Sequence, residues 1–242
     1  MDQKVILINL PPSTSYSYRS SGSIYPATGI LVVGTILKSH GLTVQVIDGT
    51  VKSDYIKKTL NSIDKDTVMI GFSVMTSQVP LAFNLSKLIK AKYPEIPIVW
   101  GGIHPILFPE QTLRDSNIDI VVTGEGYHAI LSLIDYLNGK IDLRQIRGVG
   151  FKNNSANVVL NEPCESDDIG TLPHIDYSIL EDIELYLSSK SVYQRELAGN
   201  NNEHLDVMPV LTGLGCCYKC QFCINVILKR SYRFRPAASI IE

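Results

Sequence analysis

An excess of charge of either sign is missing from this sequence. Across 242 residues, 22 basic side chains stand against 24 acidic ones, giving a net charge of −2 with no long run of either sign. Electrostatic capture of nucleic acid or of an anionic membrane surface is therefore not expected. Long hydrophobic runs are missing too. The best apolar stretch, Gly29 to Leu37, is too short to cross a bilayer, and Met1-Asp2-Gln3-Lys4 is too polar to open a signal peptide. A soluble, cytoplasmic protein is the expectation. Cysteine is scarce, with 5 residues in all: four fall between Cys216 and Cys223, and Cys164 stands alone. Such clustering in a cytoplasmic chain points to a metal rather than to a disulfide framework. A dinucleotide fingerprint is also absent. Pro11-Pro12-Ser13 stands after the first predicted strand, where G-x-G-x-x-G would be.

What is present is a regular alternation over the first 140 residues. Short β-branched runs at Val5–Leu10, Val44–Ile47, Val68–Phe72, Ile98–Trp100 and Ile118–Val122 read as buried parallel strands. Segments with helical spacing lie between them, at Thr28–His40, Asp54–Ile63, Val79–Lys92, Pro109–Asp115 and His128–Leu137, with Gly41 as a helix stop. Five strands alternating with five helices predict a doubly wound, flavodoxin-like α/β domain with a parallel five-stranded sheet over residues 1–140. Residues 141–202 read as a connector. It holds a hairpin, Val149–Lys152 and Val158–Leu160 about Asn153-Asn154, and a short helix around Ile179–Leu187. Residues 203–242 begin a further unit. Met208–Thr212 reads as its first strand, followed by the cysteine loop and by a helix opened by Pro236.

Cys216, Cys220 and Cys223 have the spacing C-x3-C-x2-C. Three thiolates on one tight loop can hold three irons of a cubane cluster and leave the fourth open, whereas electron-transfer clusters usually fill every position. The alternative is zinc. A structural zinc site wants four ligands, commonly as paired C-x2-C elements; no second pair exists, and His204 is poorly placed to complete one.

Unusual residues also collect at the strand ends of the first domain, where open α/β sheets bind ligands. Strand three runs into Ser73-Val74-Met75-Thr76-Ser77-Gln78, strand four into Gly101-Gly102-Ile103-His104-Pro105, and strand five into Gly124-Glu125-Gly126. Glycines there let backbone approach a large ligand, and hydroxyls supply donors. A tight turn alone accounts for any one of these loops, but less well for three neighbours. His104 is expected mainly to shape the turn before Pro105, Glu125 to bond backbone in preference to ligand, His128 and His174 to be surface or packing residues, and Cys164 and Cys217 to be bystanders.

The cysteine loop resembles the signature of radical S-adenosylmethionine (radical SAM) enzymes, C-x3-C-x-aromatic-C, with Phe222 as the aromatic. The strand-end pattern is similar to the cobalamin-binding domain joined to many of these enzymes. In that class a Ser-x-Leu or Ser-x-Thr-like turn and a later Gly-Gly line the slot for the nucleotide tail; Ser73-Val74-Met75 and Gly101-Gly102 match them. The resemblance covers nearly the whole chain. It implies a 4Fe-4S cluster on Cys216, Cys220 and Cys223, S-adenosylmethionine on the open iron with Phe222 near its adenine, and cobalamin against Ser73, Met75, Thr76, Ser77, Gln78, Gly101, Gly102, His104, Gly124, Glu125 and Gly126. One departure stands out: between Pro11 and Thr28 there is neither Asp nor His, so no cobalt-ligating histidine is expected from that loop. The reaction implied is methylation of an unactivated carbon of a small-molecule substrate. Cobalamin would carry the methyl group, a 5′-deoxyadenosyl radical would activate the substrate, and an external reductant such as ferredoxin or flavodoxin would supply electrons. A radical cyclisation or rearrangement, or a non-catalytic cobalamin-binding module, is the alternative. On this reading residues 203–242 are the first β/α segment of a truncated radical SAM barrel.

Overall fold

Through the middle of the central strands the side chains are apolar and successive ones point to opposite faces, so both faces of the sheet demand a cover. The computed structural model shows how they get one; it describes residues 3–12, 26–164, 168–187, 208–228 and 231–241. Strand β1 (Lys4–Asn9) sends Val5 and Leu7 into one core and Ile6 and Ile8 into the other. Helices α1 (Thr28–Ser39) and α6 (Gly126–Leu137) close the first core. Helices α2 (Tyr55–Ser62), α3 (Val79–Lys92) and α5 (Pro109–Leu113) close the second. The single tryptophan, Trp100, is fully buried there; its indole N–H donates to Ser86 Oγ at 3.1 Å, and Phe83 packs on it with ring centroids 5.0 Å apart.

The five parallel strands are β1, β2 (Thr43–Asp48), β3 (Thr67–Ser73), β4 (Ile98–Gly101) and β5 (Ile120–Val122), in the spatial order β2-β1-β3-β4-β5. All five lie within two residues of their predicted bounds, and α3 begins and ends where its spacing placed it. The hairpin β6 (Val149–Lys152) and β7 (Val158–Leu160) also keeps its predicted residues. Its Asn153 side chain accepts from the N–H groups of Ser155 and Asn157, which sets the turn. The hairpin does not stand apart in the connector, however. β6 pairs antiparallel with β5, Val122 opposite Val149, and extends the sheet to seven strands. The open edge of β5 offers unpaired backbone groups, and the hairpin satisfies them.

The segment after the hairpin returns along the opposite edge. Lys38 bonds Asp176, Gln45 and Lys58 bond Glu181, and Leu180 bridges to Val46 of β2. Helix α7 (Ile183–Leu187) then buries Tyr186, whose hydroxyl donates to Asp48 at 2.7 Å. Asp48 also receives Asn9 Nδ2 and the N–H and hydroxyl of Thr50. Removing one of four donors leaves the carboxylate bonded. Tyr186→Phe is therefore expected to cost about 1 kcal/mol in urea unfolding, without loss of fold.

Beyond residue 208 the predicted strand is displaced. Met208–Thr212 is not a strand; β8 forms at Gly213–Leu214, paired antiparallel with β9 (Arg233–Phe234). A strand needs a partner, and Leu214 is the residue that faces Arg233. Pro236 does open a helix, Ala237–Ile241. Among the described residues, no helix is long and apolar enough to cross a membrane.

Candidate functional site

The site begins with one glycine. Gly102 follows β4 at φ +92° and ψ −175°, a conformation essentially confined to glycine. A Cβ there would lie 2.6 Å from the N and 2.8 Å from the O of Val74. The same Val74 groups are spent on either side of it: its N–H donates to Gly101 O at 2.8 Å, and its carbonyl accepts from His104 N at 3.0 Å. The ends of β3 and β4 are thus clasped through a contact that no other residue permits.

This clasp borders a cavity of about 220 Å³ at the carboxyl ends of β1, β3, β4 and β5. Ser73, Gly101, Gly102, Gly124, Glu125 and Gly126, all named from the sequence, line it. Its remaining wall is apolar and includes Leu7, Val99 and Val122. Sites for drug-sized ligands measure roughly 300–1,000 Å³. The slot is smaller than that range. The Ser73 hydroxyl makes no hydrogen bond to any described residue and is available to a ligand.

Other predicted residues stand at the rim or behind it. Met75 is 52% exposed at the end of β3. Thr76, Ser77 and Gln78 form one turn of 3₁₀ helix leading into α3. Gln78 is buried, and both ends of its amide are engaged: Oε1 accepts from Met75 N at 2.8 Å, and Nε2 donates to Leu10 O. It braces the ends of β1 and β3. His104 is buried on a short helix, α4 (Ile103–Leu107), with Nδ1 3.3 Å from Thr76 Oγ1 and its ring against Phe108.

Burial holds the His104 pKa below its ordinary value, because a charged imidazolium would lose its hydration there. The unfolded chain then takes up the proton more readily than the folded one. The stability this histidine confers is complete above about pH 6.5 and is lost as pH falls through its lower folded pKa. Urea midpoints measured across that range are expected to fall with pH in the native chain, and to fall less in His104→Gln.

Glu125 differs from expectation. It sits at the N-cap of α6, but its side chain makes no cap bond. Instead the carboxylate meets Arg233 of β9 in a two-point contact, with Nη1 2.9 Å from Oε2 and Nη2 on Oε1. The side chains are only 9% and 15% exposed. Residues that the sequence reading missed also line the slot: Gly29, Ile30 and Val33 of α1, Gly71 of β3, and Tyr127 of α6. Gly71 alone carried a signal, as an isolated glycine inside a strand. A Cβ there would come 2.9 Å from Leu7 Cδ2.

The cysteine loop leaves β8 through Gly215, at φ +85°, where a Cβ would strike Ser231 O at 2.1 Å. Cys216 and Cys223 are half-buried and Cys220 is exposed. Cys223 N donates to Cys220 O at 2.9 Å, and Tyr218 N lies 3.4 Å from Cys216 Sγ, as a donor to that sulfur. Three soft thiolates on one turn suit an iron–sulfur cluster as a donor set. Among the described residues, no three His, Cys, Asp or Glu side chains are gathered closely enough to hold a metal ion. Phe222 is 93% exposed. Cys164 packs beside Gly148 and Gly124, and His128 and His174 are exposed. His204 and the segment 13–25, with its lack of Asp and His, lie outside the described residues.

Residues 18–134 match the family model of the B12 binding domain. Over 98% of its length the chain is 29% identical to "Uncharacterized methyltransferase PH0819" of Pyrococcus horikoshii, and it covers 49% of that protein. Over 91% of its length it is 24% identical to cytidylyl-2-hydroxyethylphosphonate methyltransferase of Streptomyces wedmorensis, covering 47% of it. The chain spans about half the length of these curated relatives. Among solved structures, the cobalamin-dependent S-adenosylmethionine radical enzyme OxsB, with aqua-cobalamin and S-adenosylmethionine bound, superposes with a TM-score of 0.73 at 22% identity, over 98% of this chain and 30% of that one.

Proposed function

We propose that this chain, whose residues 18–134 match the B12 binding domain, binds cobalamin at the ends of β3, β4 and β5 and serves methyl transfer to an unactivated carbon, in the manner of the cobalamin-dependent radical SAM enzymes. The observation that carries the proposal is the glycine-clasped slot, which is open at the strand ends. Gly101, Gly102 and Gly124 admit the nucleotide tail, Ser73 offers its hydroxyl, and the apolar wall excludes water from the tail. Cys216, Cys220 and Cys223 are the ligands proposed for a 4Fe-4S cluster, with Phe222 free to pack on the adenine of S-adenosylmethionine. Bound cobalamin would supply a methyl carrier, and the cluster with S-adenosylmethionine a one-electron route to a carbon radical. The acceptor is an organic small molecule, and the electrons come from an external one-electron donor.

The test is equilibrium binding of hydroxocobalamin followed by gel filtration. A chromophore should travel with the protein, and its spectrum should lack histidine coordination. Ser73→Ala should weaken retention roughly fivefold, in line with one lost hydrogen bond. A chromophore that elutes entirely with free cobalamin would overturn the reading.

A further inference from the structure

Glu125 belongs to two places at once. Its backbone lies in the Gly124-Glu125-Gly126 loop that walls the slot, and its carboxylate grips Arg233, which is 108 residues away in the chain. Arg233 is paired in register with Leu214. Leu214 packs against the α1/α6 core, and Cys216 follows two residues later. A second arginine secures the same hairpin. Arg235 is 4% exposed; its backbone N–H donates to Thr212 O, and its guanidinium donates to the carbonyls of Leu172 and Pro173. The base of the cysteine loop is therefore held by two arginines with different partners. One partner is the connector; the other is the wall of the slot.

We propose that the Glu125–Arg233 pair is a positioning latch that couples the slot to the cysteine loop. An occupant that orders the Gly124-Glu125-Gly126 loop orders Arg233 with it, and through β9 and β8 it orders the backbone entering Cys216. A two-point guanidinium–carboxylate contact fixes direction as well as distance, which a lysine cannot reproduce. Coupling of this kind is reciprocal: whatever orders the cysteine loop tightens the slot. The proposal rests on the slot being the cobalamin site for its ligand, but the Glu125–Arg233 pair is a contact between this chain's own residues.

Amide hydrogen exchange of the full 242-residue chain, with and without hydroxocobalamin, tests both parts. In the absence of ligand, Arg233→Ala should speed exchange about tenfold at residues 124–127 and 213–216, leaving β1 unchanged. Arg233→Lys should fall between the two, and Arg235→Ala should loosen 213–216 alone. With hydroxocobalamin, the native chain should gain protection at both segments, whereas Arg233→Ala should gain it at 124–127 and lose it at 213–216. Equal acceleration in β1 would make the pair a general stability contact and overturn the latch, as would unchanged exchange at 124–127. Absence of any ligand-induced protection in the native chain would instead refute the cobalamin reading, with the ligand-free comparison still deciding the latch.

Discussion

Gly102→Ala is expected to destabilise the protein by about 2–6 kcal/mol and to abolish cobalamin retention. Two independent costs add at that position. An alanine at φ +92° and ψ −175° occupies backbone space that costs on the order of 1–3 kcal/mol. Its methyl group must also sit within 2.8 Å of both the N and the O of Val74, and relief of such overpacking costs roughly another 1–3 kcal/mol. The obstacle is backbone, not a flexible side chain, so β3 and β4 must separate at their ends, where the slot is. Gly101 provides the contrast. A Cβ there meets Phe72 O at 3.7 Å and no positive φ is involved, so Gly101→Ala should stay within about 1 kcal/mol of the native chain. It still places a methyl group in the slot and should weaken retention without unfolding. Urea denaturation of the two variants, alongside hydroxocobalamin binding, distinguishes strain from occupancy.

The second large effect is expected at the cysteines. After anaerobic reconstitution with iron and sulfide, the native chain should show broad visible absorbance and bound iron. Replacing Cys216, Cys220 or Cys223 with alanine should remove both, a loss beyond the roughly 10–100-fold that follows from disturbing only the outer shell of a metal site. Cys217→Ala and Cys164→Ala should assemble as the native chain does. Metal binding of this kind is coupled to ordering of its ligands, so the loop's amides should become protected as iron is bound. Stoichiometric zinc in place of iron would identify the loop as a structural zinc site.

Much of this was legible from residue order alone. Strands β1, β3 and β4 carry apolar residues on both faces and lie centrally, whereas β2, read from its residues as buried too, forms an edge of the sheet. Gly101-Gly102 marked a strand end with unusual backbone. The failures have a common origin. Met208–Thr212 carries a strand's composition but lacks a strand's partner, and pairing went to Gly213–Leu214. The hairpin forms at its expected residues, yet nothing within it specified the edge of β5 as its dock. Glu125 looked like a backbone ligand because its arginine is so distant in sequence.

The sequence by itself determined the α/β alternation, the slot-forming glycines and the spacing of the three cysteines, because periodicity, glycine placement and cysteine spacing are local properties. The tertiary structure alone decided that Gly102 meets the backbone of Val74, that Gln78 ties the ends of β1 and β3 together, and that Glu125 joins the slot to the cysteine loop through Arg233. Each of these depends on which groups meet after the chain has folded. A backbone contact to Val74 or a buried charge pair is set by the packing of whole elements, not by neighbours in the chain.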